Sequence, residues 1–140
     1  MAIVPRQSVQ IIALVLLSLW PAAARAQDAE AGRKLFRRCA ACHALVPGPP
    51  LRAGPHLDGV VGRAIGSLSD YSYNGSLRNA GRAGGTWTEE RLSQFIADPR
   101  AMFPDTKMNF AGIPSDQERR DLVAFLATLG DPAPTRPAAR

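Results

Sequence analysis

The 140-residue chain is poor in the residues that build metal and redox sites: it has two cysteines, two histidines and three methionines, and aromatic residues make up 6%. A closed structural zinc site wants four Cys or His ligands, and beyond Cys39, Cys42 and His43 only His56 remains, in a GPH context without a second spaced pair. A thioredoxin-like dithiol wants its CxxC at a helix start after a strand, and no strand alternation precedes these cysteines. Basic residues are scattered, and aromatic residues do not interleave with them as a stacking platform for nucleic acid requires. No apolar run reaches the roughly 20 residues of a spanning helix, and no internal repeat is present.

What the chain does have is concentrated. Both cysteines and one histidine fall within residues 39–43, CAACH. At the N-terminus Arg6 leads into an apolar run at 9–20, interrupted by Gln10 and Ser18 and closed by Pro21, with Ala24-Arg25-Ala26 as a small-x-small cleavage pattern. Residues 1–26 therefore read as a secretory signal peptide, with an uncleaved anchor as the alternative; no cysteine follows for a lipid anchor. Removing 26 of 140 residues leaves 114, with 15 basic against 12 acidic side chains and a net charge of +3. One domain, 27–130, is expected, followed by a disordered tail at 131–140, DPAPTRPAAR. Export points to an oxidising compartment, where two cysteines ordinarily form a disulfide.

Helix signals are present at both ends of that domain. Asp28 can cap a helix through DAEAGRKLFRRC, with Glu30 in its first turn and Gly32 on the face of Phe36. Thr88 opens TWTEERLSQFIADP, with Leu92, Phe95 and Ile96 on one face and a stop at Asp98-Pro99. Ser115 and Glu118 form an S-x-x-E capping box before Leu122, Phe125, Leu126 and Leu129, and Gly130 and Pro132 end the helix. Between them, residues 44–85 are rich in Gly, Pro, Ser and Asn, too long for an ordinary loop. Leu57, Val60, Val61, Ile65, Tyr71 and Tyr73 argue against disorder there. Three helices offer little apolar surface for a self-sufficient core, so a bound group is expected to supply the missing volume.

Covalent haem attachment is the chemistry that CxxCH in an exported chain serves best: each thiol adds to a vinyl group and the following histidine ligates the iron. A second ligand must come from elsewhere, and a methionine, Met102 or Met108, is the candidate. Either is equally suited to filling gaps in a core.

Taken together, GRKLFRRCAACH, AGPHLDGVVGR, YSYN, TW, DP, FPDTKMNFAGI and ERRDLVAFL resemble the class I cytochromes c, of the mitochondrial and bacterial cytochrome c2 type, over roughly residues 31–129. The resemblance implies an all-α, small cytochrome c fold: crossing N- and C-terminal helices, a middle helix, and long loops around one covalently bound haem. It implies attachment of one haem c through Cys39 and Cys42, with His43 and Met108 as iron ligands and Met102 as a packing residue. The Pro55 carbonyl would accept from the His43 ring N–H, fixing the imidazole. Arg63, Tyr73 and Trp87 match propionate-binding residues, and Thr106 matches one whose hydroxyl lies near a propionate. Gly32 and Phe36 match the helix face that packs across Leu122 and Phe125. Two positions depart from the family: Phe95 stands where many members have tyrosine, and Leu77 where mitochondrial members have asparagine. Both remove polar groups from the neighbourhood of the iron.

A His/Met pair leaves no open coordination position, so electron transfer rather than enzyme catalysis is expected. The resemblance implies a periplasmic, monomeric, mono-haem carrier shuttling single electrons from a membrane quinol-oxidising complex to a terminal oxidase or photosynthetic reaction centre. Arg38, Arg52, Arg100 and Lys107 would ring the haem edge and dock acidic surfaces of those complexes, and no nucleic-acid partner is expected. The alternatives are a haem c subunit of a dedicated oxidoreductase complex, and a ligand sensor or peroxidase in which Met108 dissociates.

Overall fold

The computed structural model describes residues 26–48 and 52–130; the expected leader, 1–26, lies outside them except for Ala26, and so does the tail at 131–140. Asp28 accepts from the main-chain N–H groups of Glu30 and Ala31 and starts α1 (Ala29–Leu35), which tightens into a 3-10 turn over Phe36–Arg38. Then come α2 (Gly75–Arg82), α3 (Glu89–Ala97), α4 (Pro99–Met102) and α5 (Asp116–Ala127). Among the described residues the only β pairing is the isolated antiparallel bridge between Ala64 and Thr86. None of the described helices is long and apolar enough to cross a membrane.

The expected caps are in place. Thr88 accepts from the Arg91 N–H at the start of α3, and Ser115 accepts from the Glu118 N–H at the start of α5. The Asp98-Pro99 pair read as a stop is also a start: Asp98 caps α4, where Pro99 needs no hydrogen bond at the first helical position. Helix α5 ends at Ala127, two residues short of the expected Leu129, because the Thr128 hydroxyl donates to the Phe125 carbonyl within the last turn.

Helix α2, like the short α4, is an element that sequence patterning did not predict. GSLRNAGR buries Leu77 alone, so it lacks an apolar stripe. Its order comes from elsewhere: a Cβ at Gly81 would lie 1.9 Å from the Ile65 carbonyl oxygen, so that glycine lets the helix rest on the 60s backbone.

The core is organised by α1 against α5. Gly32 is buried at their crossing, where an added Cβ would sit 1.9 Å from the Asp121 carbonyl oxygen and 2.9 Å from the Phe125 Cβ. One turn on, the Phe36 and Phe125 rings pack with centroids 5.7 Å apart. The Asp121 side chain, itself buried, accepts from the Asp28 main-chain N–H at 2.9 Å and from Gln117 Nε2 at 2.8 Å. Leu122, Val123, Leu126 and the fully buried Ile113 complete this layer, and α3 adds Leu92 and Ile96. We expect Gly32→Ala to destabilise the protein by about 2 kcal/mol, the usual scale of overpacking at a close crossing. Guanidinium denaturation checks this, and an unchanged midpoint would refute it.

Candidate haem site

The 3-10 turn that continues α1 carries the chain directly into the cysteine motif. The Cys42 and His43 N–H groups both donate to the Cys39 carbonyl, at 3.0 and 2.9 Å, so the two thiols and the imidazole lie on one turn. Neither thiol is in a disulfide. Burial pushes the Cys39 thiol above its usual range, opposed by Arg38, which is the reverse of what an attacking redox cysteine needs. Among the described residues no three His, Cys, Asp or Glu side chains cluster as a metal site.

His43 is fixed from the opposite strand of the same loop. The Gly54 N–H donates to the Cys42 carbonyl at 2.7 Å and the Leu57 N–H to the Ala44 carbonyl at 2.9 Å, which brings Pro55 alongside the imidazole. His43 Nδ1 lies 2.8 Å from the Pro55 carbonyl oxygen. Because a carbonyl only accepts, Nδ1 carries the proton and Nε2 is left with a lone pair. Burial holds the His43 pKa below its ordinary value; the Pro55 bond works against this and the Arg63 charge adds to it. Burial thus favours the neutral ring, the form in which an imidazole binds a metal.

Gly54 is a residue that sequence reasoning missed. A Cβ there would lie 2.5 Å from His43 Cε1 and 2.8 Å from Nδ1, so the ring occupies the place of the absent side chain. No local pattern marks this glycine, since its constraint is a ring eleven residues earlier.

Arg63 and Trp87 are set side by side by the small antiparallel ladder: the Gly62 N–H donates to the Trp87 carbonyl at 2.7 Å, and the Trp87 N–H to the Arg63 carbonyl at 2.8 Å. The half-buried Arg63 guanidinium donates to the carbonyls of Asp58 and His56, at 2.9 and 3.1 Å, and forms no ion pair with a described carboxylate. Burial lowers its pKa, opposed by Tyr73 first and then Asp58 and Asp70. Tyr73 is buried edge-on to Tyr71, 4.7 Å between centroids, and burial raises its phenol. A half-buried cation with only carbonyl partners, beside a buried phenol, is suited to an anionic group.

Thr106 is buried and its hydroxyl accepts from the Met108 N–H at 3.2 Å. The segment around Met108 is bracketed by two contacts. Lys107 Nζ donates to the Ser72 carbonyl at 2.7 Å, next to Tyr73, and the Arg38 guanidinium lies 5.6 Å over the Phe110 ring, next to Cys39. Met108 is thus carried between the tyrosine and cysteine sides of the site. Met102 lines a different cleft, with Ile65, Ala80, Ala83, Gly85 and Phe103. Phe95, at the position of the missing tyrosine hydroxyl, packs on Trp87 and Phe103 with centroids 5.1 and 5.8 Å away, and Leu77 is buried. Of the basic residues expected at the haem edge, Arg38, Arg52, Arg100 and Lys107 are all exposed, and Arg52 donates to the Ala40 carbonyl.

Comparisons with known proteins bear on the family and the fold. A family model described as cytochrome c matches residues 29–130. Cytochrome c2 of Blastochloris viridis is 39% identical over 116 residues, covering 83% of this chain and 89% of that protein. A cytochrome c2 of Rhodoplanes tepidamans is 43% identical over 104 residues, covering 74% and 94%. Among solved structures, ferricytochrome c2 from Rhodopseudomonas palustris matches with a TM-score of 0.65 at 35% identity, over 74% of this chain and 99% of that one. Cytochrome cH from Methylobacterium extorquens matches with a TM-score of 0.65 at 38% identity, over 72% and 98%.

Helices, crossing and thiol pair together define an electron-transport protein of the kind that holds haem c covalently, and the site's donor set fits that group. The chain belongs to the cytochrome c family, with cytochromes c2 among its relatives.

We expect Gly54→Ala to destabilise the haem-bound protein by about 2 kcal/mol, as the new methyl must displace the His43 ring or its loop. Chemical denaturation of the purified holoprotein is the check, and wild-type stability would argue that the ring yields freely.

Proposed function

We propose that this protein is a mono-haem electron carrier, with one haem c bound through Cys39 and Cys42 and the iron held between His43 Nε2 and the Met108 sulfur. The observation that carries this reading is the half-buried His43 ring, with Nδ1 committed to Pro55, Nε2 left as the metal-binding nitrogen, and two free thiols on the same turn. When bound, the haem supplies a one-electron iron couple. The chain's contribution is to hold and tune it. Pro55 orients His43 and raises its basicity. Arg63, Tyr73, Trp87 and Thr106 offer a cation and polar hydrogens to the propionates, offsetting the cost of placing carboxylates beside an apolar core. A neutral thioether favours the reduced iron and raises its potential. His43 and Met108 as iron ligands would leave no position for a substrate, which suits a carrier rather than an enzyme.

The carrier works in the periplasm after cleavage of the leader behind Ala26, as the apolar run and the Ala24-Arg25-Ala26 pattern suggest. It passes single electrons, as a monomer, from a membrane quinol-oxidising complex to a terminal oxidase or photosynthetic reaction centre. Exposed Arg38, Arg52, Arg100 and Lys107 supply a basic face for weak, fast and salt-sensitive docking to acidic surfaces.

Carbon monoxide tests the ligand assignment. The reduced wild-type protein at neutral pH is expected to bind none, whereas Met108→Ala is expected to bind it readily, seen in the optical difference spectrum. Identical spectra for the two proteins would remove Met108 from the iron.

A further inference from the structure

The segment that carries Met108 is held at its ends. Among the described residues, positions 107–111 take part in no hydrogen bond between main-chain groups, and the Met108 N–H is met only by the Thr106 hydroxyl. On the far side the chain is anchored by Ile113, fully buried, whose N–H donates to the Ile96 carbonyl at 3.0 Å.

On the near side the anchor is a side chain. Asp105 Oδ1 accepts from Asn74 Nδ2 at 2.6 Å and from the Ser76 hydroxyl, and Asp105 Oδ2 accepts from the Ser76 main-chain N–H at 3.2 Å. Asn74 is the N-cap residue of α2, yet its side chain makes no cap bond; Nδ2 also donates to Ser76 Oγ at 2.7 Å. The free N–H in the first turn of α2 is therefore satisfied by a carboxylate 29 residues away, where the positive end of the helix favours an anion. Asp105 thus joins α2, a helix that buries a single leucine, to the residues just ahead of Met108. The partners agree in sign, since the Ser76 hydroxyl first and then the Ser76 N–H and Asn74 hold the Asp105 carboxyl below the usual carboxylate range.

We infer that Asp105 is a positioning residue for Met108: by clasping Asn74 and Ser76 it restrains the opening of the 105–112 segment and so sets how readily Met108 gives way to another iron ligand. The inference rests on Met108 being the ligand, as proposed above. An incoming ligand reaches the ferric iron only after the sulfur has left, and the sulfur leaves only as far as its segment swings. With no main-chain ladder across 107–111, the end anchors carry that restraint. Each hydrogen bond to an exposed carboxylate contributes modestly on its own, but three converge on one side chain, and losing them is worth about tenfold in an opening equilibrium.

The test mixes the ferric holoprotein with imidazole at pH 7 and follows loss of the sulfur-to-iron charge-transfer band; the limiting rate at saturating imidazole reads segment opening. Asp105→Ala is expected to raise that rate about tenfold, and Asp105→Asn, which keeps an acceptor without the charge, to fall between. Ser76→Ala reaches the same clasp from its other side and should also accelerate exchange. Asp28→Ala removes the cap of α1, whose bonds reach Glu30 and Ala31 and not the segment, and should leave the rate at the wild-type value. A wild-type rate in the Asp105 variants, or an equal acceleration in Asp28→Ala, would overturn the assignment. A wild-type protein with no such band overturns the Met108 assignment itself and the clasp's role with it, a result distinct from a band that is present but indifferent to Asp105.

Discussion

The close approach of α1 and α5 at Gly32 is the constraint on which the rest of the molecule depends. It fixes the direction in which the chain leaves α1, and the 3-10 turn that follows delivers Cys39, Cys42 and His43 with almost no freedom in between. The same crossing seats α5, whose far end is tied back by the Gly59 N–H donating to the Leu129 carbonyl at 3.1 Å. That bond holds residues 58–63 in place, and with them the Asp58 and His56 carbonyls that receive Arg63. One helix contact thus positions an imidazole and a cation from different parts of the chain, the two groups that the proposed haem would meet.

Apolar burial supplies the crossing, but polar main-chain bonds supply the precision of the site. From Cys42 to Leu57 the loop is closed by the Cys42 and Ala44 carbonyls, which accept from the Gly54 and Leu57 N–H groups, and from Gly62 to Trp87 by a bridge too short to be a sheet. A few such bonds hold side chains that a small helical core would leave loose. Irregular chain is useful here because it wraps a flat group on several sides, which straight helices of this length do not do. The aromatic trio of Trp87, Phe95 and Phe103 fills one side of this shell with rings lacking the tyrosine hydroxyl.

How much of this was legible in the sequence follows the reach of each interaction. Asp28, Thr88 and Ser115 were readable because a cap and the N–H groups it meets lie within three residues of one another. CAACH was readable for the same reason, as one turn holds all its chemistry. Helix α2 was not, since its buried surface is one leucine and its support arrives from Ile65 and Asp105. Gly54 and Asp105 carry no local signature at all: the ring that one makes room for and the helix that the other caps are far off in sequence. The family resemblance placed Arg63, Tyr73 and Trp87 where local patterning offered only a surface charge and two aromatics.

Trp87 has a last consequence. Trp20 and Trp87 are the only indoles in the chain, and Trp20 lies in the N-terminal apolar run, so the domain over 29–130 contains a single one. It is buried on the bridge next to Arg63, inside the shell of the site. A porphyrin absorbs where an indole emits, and the transfer of excitation between them weakens steeply with distance. With haem bound as proposed, the emission of this indole would be quenched and would return as the shell loosens, so opening of the domain would be visible to an optical probe that needs no label.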